Sequence, residues 1–162
     1  MADFQFTTGD ILQADVEALV NPVNCIGTMG VGRALDFANR FPANFLAYQI
    51  ICLRREAHLG EVDVFRTENY TNPKFIINFP TRTRWRDNIW IEDIESGLVS
   101  LAEAISDTCI RSIAIPALGC GLGGLDWNDV RPLIVDALEG VYNLQVTVFE
   151  PLNDEHSKNR GI

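Results

Sequence analysis

The sequence predicts an α/β protein, three-layer α/β/α, with a mixed, mostly parallel sheet of about six strands flanked by helices. Three observations predict it. Short apolar segments of strand character alternate with longer stretches of helical period, the pattern of a sheet joined by crossovers. The 162 residues are of one-domain length, and 47% hydrophobic with 22% charged is an ordinary globular balance. Two glycine-rich segments each stand between a strand and a helix, where open α/β sheets hold ligands. The folded unit is expected to span residues 1–151, with residues 152–162 a polar, flexible C-terminal tail.

The elements follow in order. Phe4–Thr8 alternates and reads as a strand, with a turn at Gly9-Asp10; Glu17–Asn21 is a short apolar strand. Cys25–Gly32 is the first glycine-rich loop, and Arg33–Phe41 reads as a helix stopped by Pro42. Phe45–Arg55 is a second helical stretch. Gly60 breaks the chain before a strand at Glu61–Glu68. Lys74–Phe79 is an apolar strand expected to end at Pro80. Ile91–Ser106 is the clearest helix, with Ile91, Ile94, Leu98, Leu101, Ala102 and Ile105 in one stripe. Ser112–Ile115 is a buried strand bounded by Pro116, and Gly119–Gly124 is the second glycine-rich loop. Asp126 suits the N-cap of a helix over Trp127–Leu138, and Leu144–Phe149 is the last strand.

Composition narrows the function. The net charge of −9 disfavours broad, charge-driven binding of nucleic acid. One local basic stretch exists, where Arg82, Arg84 and Arg86 alternate around Trp85; if extended, it puts the three arginines on one side, and the alternative is a solvated loop. Cys25, Cys52, Cys109 and Cys120 show no C-x-x-C spacing, and His58 and His156 are the sole histidines, which argues against a metal site. The cysteines read as reduced thiols; Cys120, in the second loop, has no histidine nearby in sequence to make it a nucleophile. No apolar run reaches the ~20 residues of a membrane span. Met1–Thr8 lacks the basic start and apolar stretch of a signal peptide, so a cytoplasmic location with no membrane association is expected.

The glycine-rich loops carry the chemistry. Gly27, Gly30 and Gly32 let backbone N–H groups turn inward and a ligand approach closely, just before a helix whose N-terminus favours phosphate. Gly119, Gly121, Gly123 and Gly124 repeat the arrangement before the helix at Trp127. Two such loops at one end of a sheet fit a diphosphate better than a monophosphate. Neither has the lysine and hydroxyl residue of a P-loop, nor the context of the dinucleotide fingerprint.

Gly9-Asp10-Ile11, Ala18-Leu19-Val20-Asn21-Pro22-Val23-Asn24, Met29-Gly30-Val31-Gly32 and Pro116-Ala117-Leu118-Gly119-Cys120-Gly121, in that order, resemble the macrodomain family over about Phe4 to Pro151. Asn24-Cys25-x-Gly27, Asn78-Phe79-Pro80-Thr81 and Gly123-Gly124-Leu125-x-Trp127 resemble its subgroup of DNA ADP-ribosyl glycohydrolase antitoxins and terminal ADP-ribose protein glycohydrolases. The resemblance implies a macrodomain fold and ADP-ribose as ligand, with no cofactor and no metal. It implies that Asp10 accepts the adenine amino group, with the Ile11 backbone beside it. Asn24 would bond the distal ribose, and Asn21 would shape the same strand end. Gly27, Met29, Gly30, Val31 and Gly32, with Gly119, Cys120, Gly121 and Gly123, would cradle the phosphates. Leu118, Leu122 and Thr81 would line the cleft. The plainer alternatives are a turn residue for Asp10, an Asx turn for Asn24 and core packing for Trp127.

The related glycohydrolases carry a catalytic lysine where this chain has Arg82, and an arginine forms no Schiff base. The protein-directed members add an aspartate where this chain has Gly123, and the DNA-directed members have glycine there. Asp126, Glu92 and Asp93 are the other acids near the loops, and each reads as a cap or first-turn charge. Two functions follow. One is a hydrolase that removes mono-ADP-ribose from a DNA base or acidic protein side chain, with Asn24 and Arg82 acting on the distal ribose. The other is a reader that binds ADP-ribose without turnover, which the arginine favours. Partners expected are ADP-ribosylated DNA or protein and a cognate ADP-ribosyltransferase, with the chain a monomer.

Overall fold

The computed structural model describes residues 1–30 and 32–152. Val31 and residues 153–162 of the expected 152–162 tail lie outside the described residues. One six-stranded sheet contains β1 (Asp3–Thr7), β2 (Ala18–Asn24), β3 (Asp63–Arg66), β4 (Phe75–Arg82), β5 (Ser112–Pro116) and β6 (Gln145–Phe149). Its order is β1-β6-β5-β2-β4-β3, parallel throughout except that β3 runs antiparallel to β4. The helices are α1 (Gly32–Arg40), α2 (Pro42–Leu53), α3 (Ile91–Thr108) and α4 (Trp127–Leu138). Among the described residues no helix is long and apolar enough to cross a membrane.

The two-residue strand period divides the core between the faces. Ala18 and Val20 of β2 pack with Ile94, Leu98 and Leu101 of α3 and Ile134 of α4. Leu19 packs with Phe37 of α1 on the other face. Phe75, Ile77 and Phe79 of β4 repeat the first pattern and Ile76 the second. A third cluster joins Val23 to Met29 and to Tyr48 and Cys52 of α2. The sheet is therefore buried on both faces, each large apolar side chain contributing about 1.5–3 kcal/mol. The three-layer arrangement expected from the sequence is the one observed.

The largest boundary differences from expectation, three residues each, fall at prolines. β2 runs through Pro22 to Asn24, and β4 through Pro80 to Arg82. A strand residue offers its N–H to one neighbour only, so proline removes a single bond and leaves the rest of the register intact. That register continues as Pro22 opposite Phe79 and Val23 opposite Pro80. Pro42 follows the end of α1 at Arg40, but it also opens α2, three residues before the expected start. There its missing N–H would have had no partner within the helix.

Candidate functional site

A cleft of about 1040 Å³ opens where β2 and β5 part. The two strands pair only at Ala18–Ile113 and Leu19–Ala114. Beyond that point β2 continues along β4, so Pro22, Val23 and Asn24 form one wall while Pro116 and the loop after it form the other. This is the crevice at the carboxyl ends of parallel strands, where the order of connections reverses. Asp10, Asn24, Gly30, Gly32, Thr81, Arg82, Gly119, Cys120, Gly121, Leu122 and Gly123 all line it.

Asn24 shapes the first loop. Its Oδ1 accepts from the N–H groups of Ile26 (3.1 Å), Gly27 (2.9 Å) and Thr28 (3.3 Å). Its Nδ2 donates to the Thr28 hydroxyl (2.6 Å) and carbonyl (3.0 Å), and the Tyr48 hydroxyl donates to the Asn24 carbonyl (2.7 Å). The Asx-turn alternative is thus realised at a residue that also faces the cleft. Gly27 is buried at φ +82°, and a Cβ there would lie 3.4 Å from the Cys52 Cβ. From Gly32 the chain enters α1, whose N-terminal residues Gly32, Arg33 and Ala34 border the cleft, so its dipole favours an anion there.

The second loop is a 3-10 turn at Gly121–Gly123, closed by bonds from Gly124 N–H to Gly121 O (3.1 Å) and Leu125 N–H to Gly119 O (3.0 Å). Residues opening such a turn have no earlier carbonyl within it to bond, so their N–H groups are available to a ligand. Gly119 sits at φ +74°, where a Cβ would lie 2.7 Å from the Leu125 side chain. The two glycine-rich loops thus border one cleft, with the N-terminus of α1 on one side and the 3-10 turn on the other. Asp126 caps α4, accepting from the Asn128 N–H at 2.9 Å.

Asn24 and Arg82 meet through a bulge. Val23 pairs with Pro80, but Asn24 pairs with Arg82, which leaves Thr81 as the extra residue. The stretch after Arg82 is a turn and not an extension, so the strand alternation expected to set the three arginines on one side is absent. Arg84 N–H donates to the Asp87 carboxylate and Asp87 N–H to the Arg84 carbonyl, both at 3.0 Å. Arg82 Nη1 donates to the Asp87 carbonyl at 3.4 Å. Trp85 lines the cleft beside Arg82, with the Arg86 guanidinium 4.7 Å from its ring centroid.

At the opposite end, Asp10 caps a 3-10 turn over Ile11–Gln13 and accepts from the Leu12 N–H at 3.0 Å. Its carboxylate lies 3.9 Å from Arg33 Nη1. Phe149 and Glu150 close this end, and the Trp127 indole N–H holds the Glu150 carboxylate at 2.9 Å. Trp127 itself is in the core, as expected. Sequence reasoning missed Arg33, Asp36 and Arg40, all on the cleft. Their three- and four-residue spacing on one helix was the available signal. It also missed Phe149 and Glu150, whose place at a strand's carboxyl end could have marked them.

Five candidates stand behind the wall: Ile11, Asn21, Gly27, Met29 and Leu118 are buried. Asn21 belongs to a buried amide network. Its Nδ2 and that of Asn44 donate to Asn78 Oδ1 (3.1 and 3.0 Å), and Asn78 Nδ2 donates to Asn44 Oδ1 (2.8 Å) and Asp63 (3.0 Å). Burial pushes the Asp63 carboxyl above its usual range against the lowering by Asn78. Burial, with Cys52 and Asp93 adding, pushes the Cys25 thiol up to about 11, so it stays protonated at neutral pH and is a poor nucleophile. Cys120 Sγ lies 3.6 Å from the Leu118 carbonyl. Among the described residues no group of histidine, cysteine or carboxylate side chains could hold a metal.

A family model of the Macro domain matches residues 20–134. The chain is 43% identical, over 90% of its length, to a DNA ADP-ribosyl glycohydrolase of Mycobacterium tuberculosis, of which it covers 42%. This relative and its counterpart in Thermus aquaticus are thus spanned for about two fifths of their length. The chain superposes on the macrodomain of Thermus aquaticus DarG with TM-score 0.90 and 42% identity, covering 93% of this chain and all of that one. It superposes on Thermosipho africanus DarTG in complex with ADP-ribose with TM-score 0.87 and 31% identity, covering 93% of this chain and 42% of that one.

Proposed function

The chain belongs to the Macro domain family, and from that membership we propose that it hydrolyses the bond joining ADP-ribose to a base of DNA. One observation carries the reading: two glycine-rich loops border one cleft, and Asn24 and Arg82 stand in register beside them. Two relatives support it. The Mycobacterium tuberculosis protein is a DNA ADP-ribosyl glycohydrolase, and Thermosipho africanus DarTG forms a complex with ADP-ribose.

The loops hold the diphosphate, Asp10 takes the adenine amino group, and the distal ribose lies toward Asn24 and Arg82. A water oxygen adds to the sugar's anomeric carbon as the bond to the base nitrogen breaks. The electron pair goes to the base and a water proton follows, giving free ADP-ribose and the restored base. Arg82 remains positive throughout, so its part is to stabilise the charge that develops on the departing base. The modification has to be installed by an ADP-ribosyltransferase, the cognate partner, and the chain acts in the cytoplasm as a monomer.

The test compares wild type with Arg82→Ala on an ADP-ribosylated single-stranded oligonucleotide and on a peptide ADP-ribosylated on glutamate. Calorimetry with free ADP-ribose is run on both proteins. Release from the oligonucleotide is expected, falling about 100- to 1,000-fold in Arg82→Ala. Binding of ADP-ribose with release from neither substrate makes the chain a reader, the second reading that arginine in place of lysine favours. Failure to bind ADP-ribose overturns both.

A further inference from the structure

We infer that the turn Arg82–Asp87 is the platform for the DNA strand, with the Trp85 indole stacking on the nucleobase beside the scissile bond and Arg84 reaching the flanking phosphates. The inference rests on the DNA reading above and adds the residues that recognise the polynucleotide. Trp85 lines the cleft next to Arg82, the residue in register with Asn24, so an aromatic surface stands at the end where the leaving group departs. Trp85 is 49% exposed, so part of its ring is open to a ligand. The turn is braced by the paired Arg84–Asp87 bonds and by Arg82 on the Asp87 carbonyl, so the ring stands on a fixed backbone. Arg86 lies over one face of the indole, 4.7 Å from its centroid, and the proposed stack uses the other.

Charge supplies an independent argument. The chain carries −9, which repels a phosphodiester strand, while Arg82, Arg84, Arg86 and Asp87 bring a local +2 to this rim. A strand leaving the cleft over this turn meets favourable potential.

The test uses Trp85→Ala and Trp85→Phe with a single-stranded oligonucleotide ADP-ribosylated on one base. Loss of one base stack weakens binding about 10- to 100-fold. Trp85→Ala is expected to raise KM by that factor with the loss falling on KM and not on kcat. Trp85→Phe restores most of it, and affinity for free ADP-ribose is the same in all three proteins. An unchanged KM in Trp85→Ala, while wild type cleaves, overturns the platform and leaves the proposed function intact. An equal loss of affinity for free ADP-ribose overturns it too, making Trp85 a wall of the ADP-ribose site. An equal KM loss on the glutamate-modified peptide overturns it as well and assigns the turn to protein substrates. If wild type binds ADP-ribose but cleaves no DNA, the proposed function fails, and affinity for the uncleaved modified oligonucleotide still tests the platform. Equal affinity of wild type and Trp85→Ala would sink it.

Discussion

At Asn24 one side chain shapes the loop and faces the cleft. Three N–H groups converge on its Oδ1, so its removal strands buried or half-buried donors. Asn24→Ala is expected to lower stability by about 1–3 kcal/mol, read as a fall in Tm of several degrees, and to weaken ADP-ribose binding at the same time. Asn24→Asp keeps the acceptor for the three N–H groups but sets a carboxylate oxygen against the Thr28 carbonyl, with only the Thr28 hydroxyl able to donate to it, so its Tm should fall below wild type. A Tm for Asn24→Ala equal to wild type would make Asn24 a ligand contact alone. At this scale the sequence was legible where chemistry is local. Asp10 and Asn24 each announce a polar side chain at or near a glycine turn, and both line the cleft. It was not legible where depth decides. Ile11, Asn21, Met29 and Leu118 sit within the same motifs as cleft residues, and only the packing of the helices on the sheet shows that they are buried. Arg82 was legible as a position, but its pairing with Asn24 depends on a bulge at Thr81 that no residue pattern announces.

Among the elements, α3 and α4 were the most legible. α3 carries a stripe with acidic residues in its first turn, and α4 begins at its expected residue behind the Asp126 cap. β2 and β4 read too short because proline looks like a stop, whereas a strand loses only one bond to it. The contact between α3 and β4 tests the packing. Gly97 lies in α3 against the Phe79 ring, where an added Cβ would come within 2.4 Å of Phe79 Cζ. Helix propensity alone favours Gly97→Ala by about 1 kcal/mol. The ring is wholly buried in the core and moves only by displacing its neighbours, so the clash should win. Gly97→Ala is expected to destabilise by about 1–3 kcal/mol in thermal or urea unfolding, and a stabilised variant would mean that α3 stands farther from the sheet.

For the whole molecule, the alternation of strands and helices announced a covered parallel sheet, but not the order of its strands. Nothing in residues 61–68 marks β3 as the antiparallel edge, since pairing direction is settled by where the chain returns. Nor does the sequence show that β2 and β5 part after two pairs, the event that makes the cleft. Net charge, by contrast, is a property of the whole that can be read directly from the residues, and it sets how a DNA-borne substrate responds to salt. A protein gripping six to ten phosphates loses about 1,000- to 100,000-fold in affinity between about 50 and 200 mM salt. Here Arg84 and Arg86 are the exposed cations of the proposed platform. Even if Arg86 leaves the indole to join Arg84 on the phosphates, two contacts on a single strand give a slope of about −0.7 × 2, or about −1.4, which is less than a tenfold loss over the same range. Screening of repulsion between the −9 chain and the strand works the other way and flattens the slope further. The kcat/KM on a long modified oligonucleotide should therefore fall less than tenfold across that range. In the Arg84→Ala/Arg86→Ala variant it should stay level or rise with salt, because repulsion is then the larger effect. A hundredfold fall in wild type would require a basic interface wider than this turn.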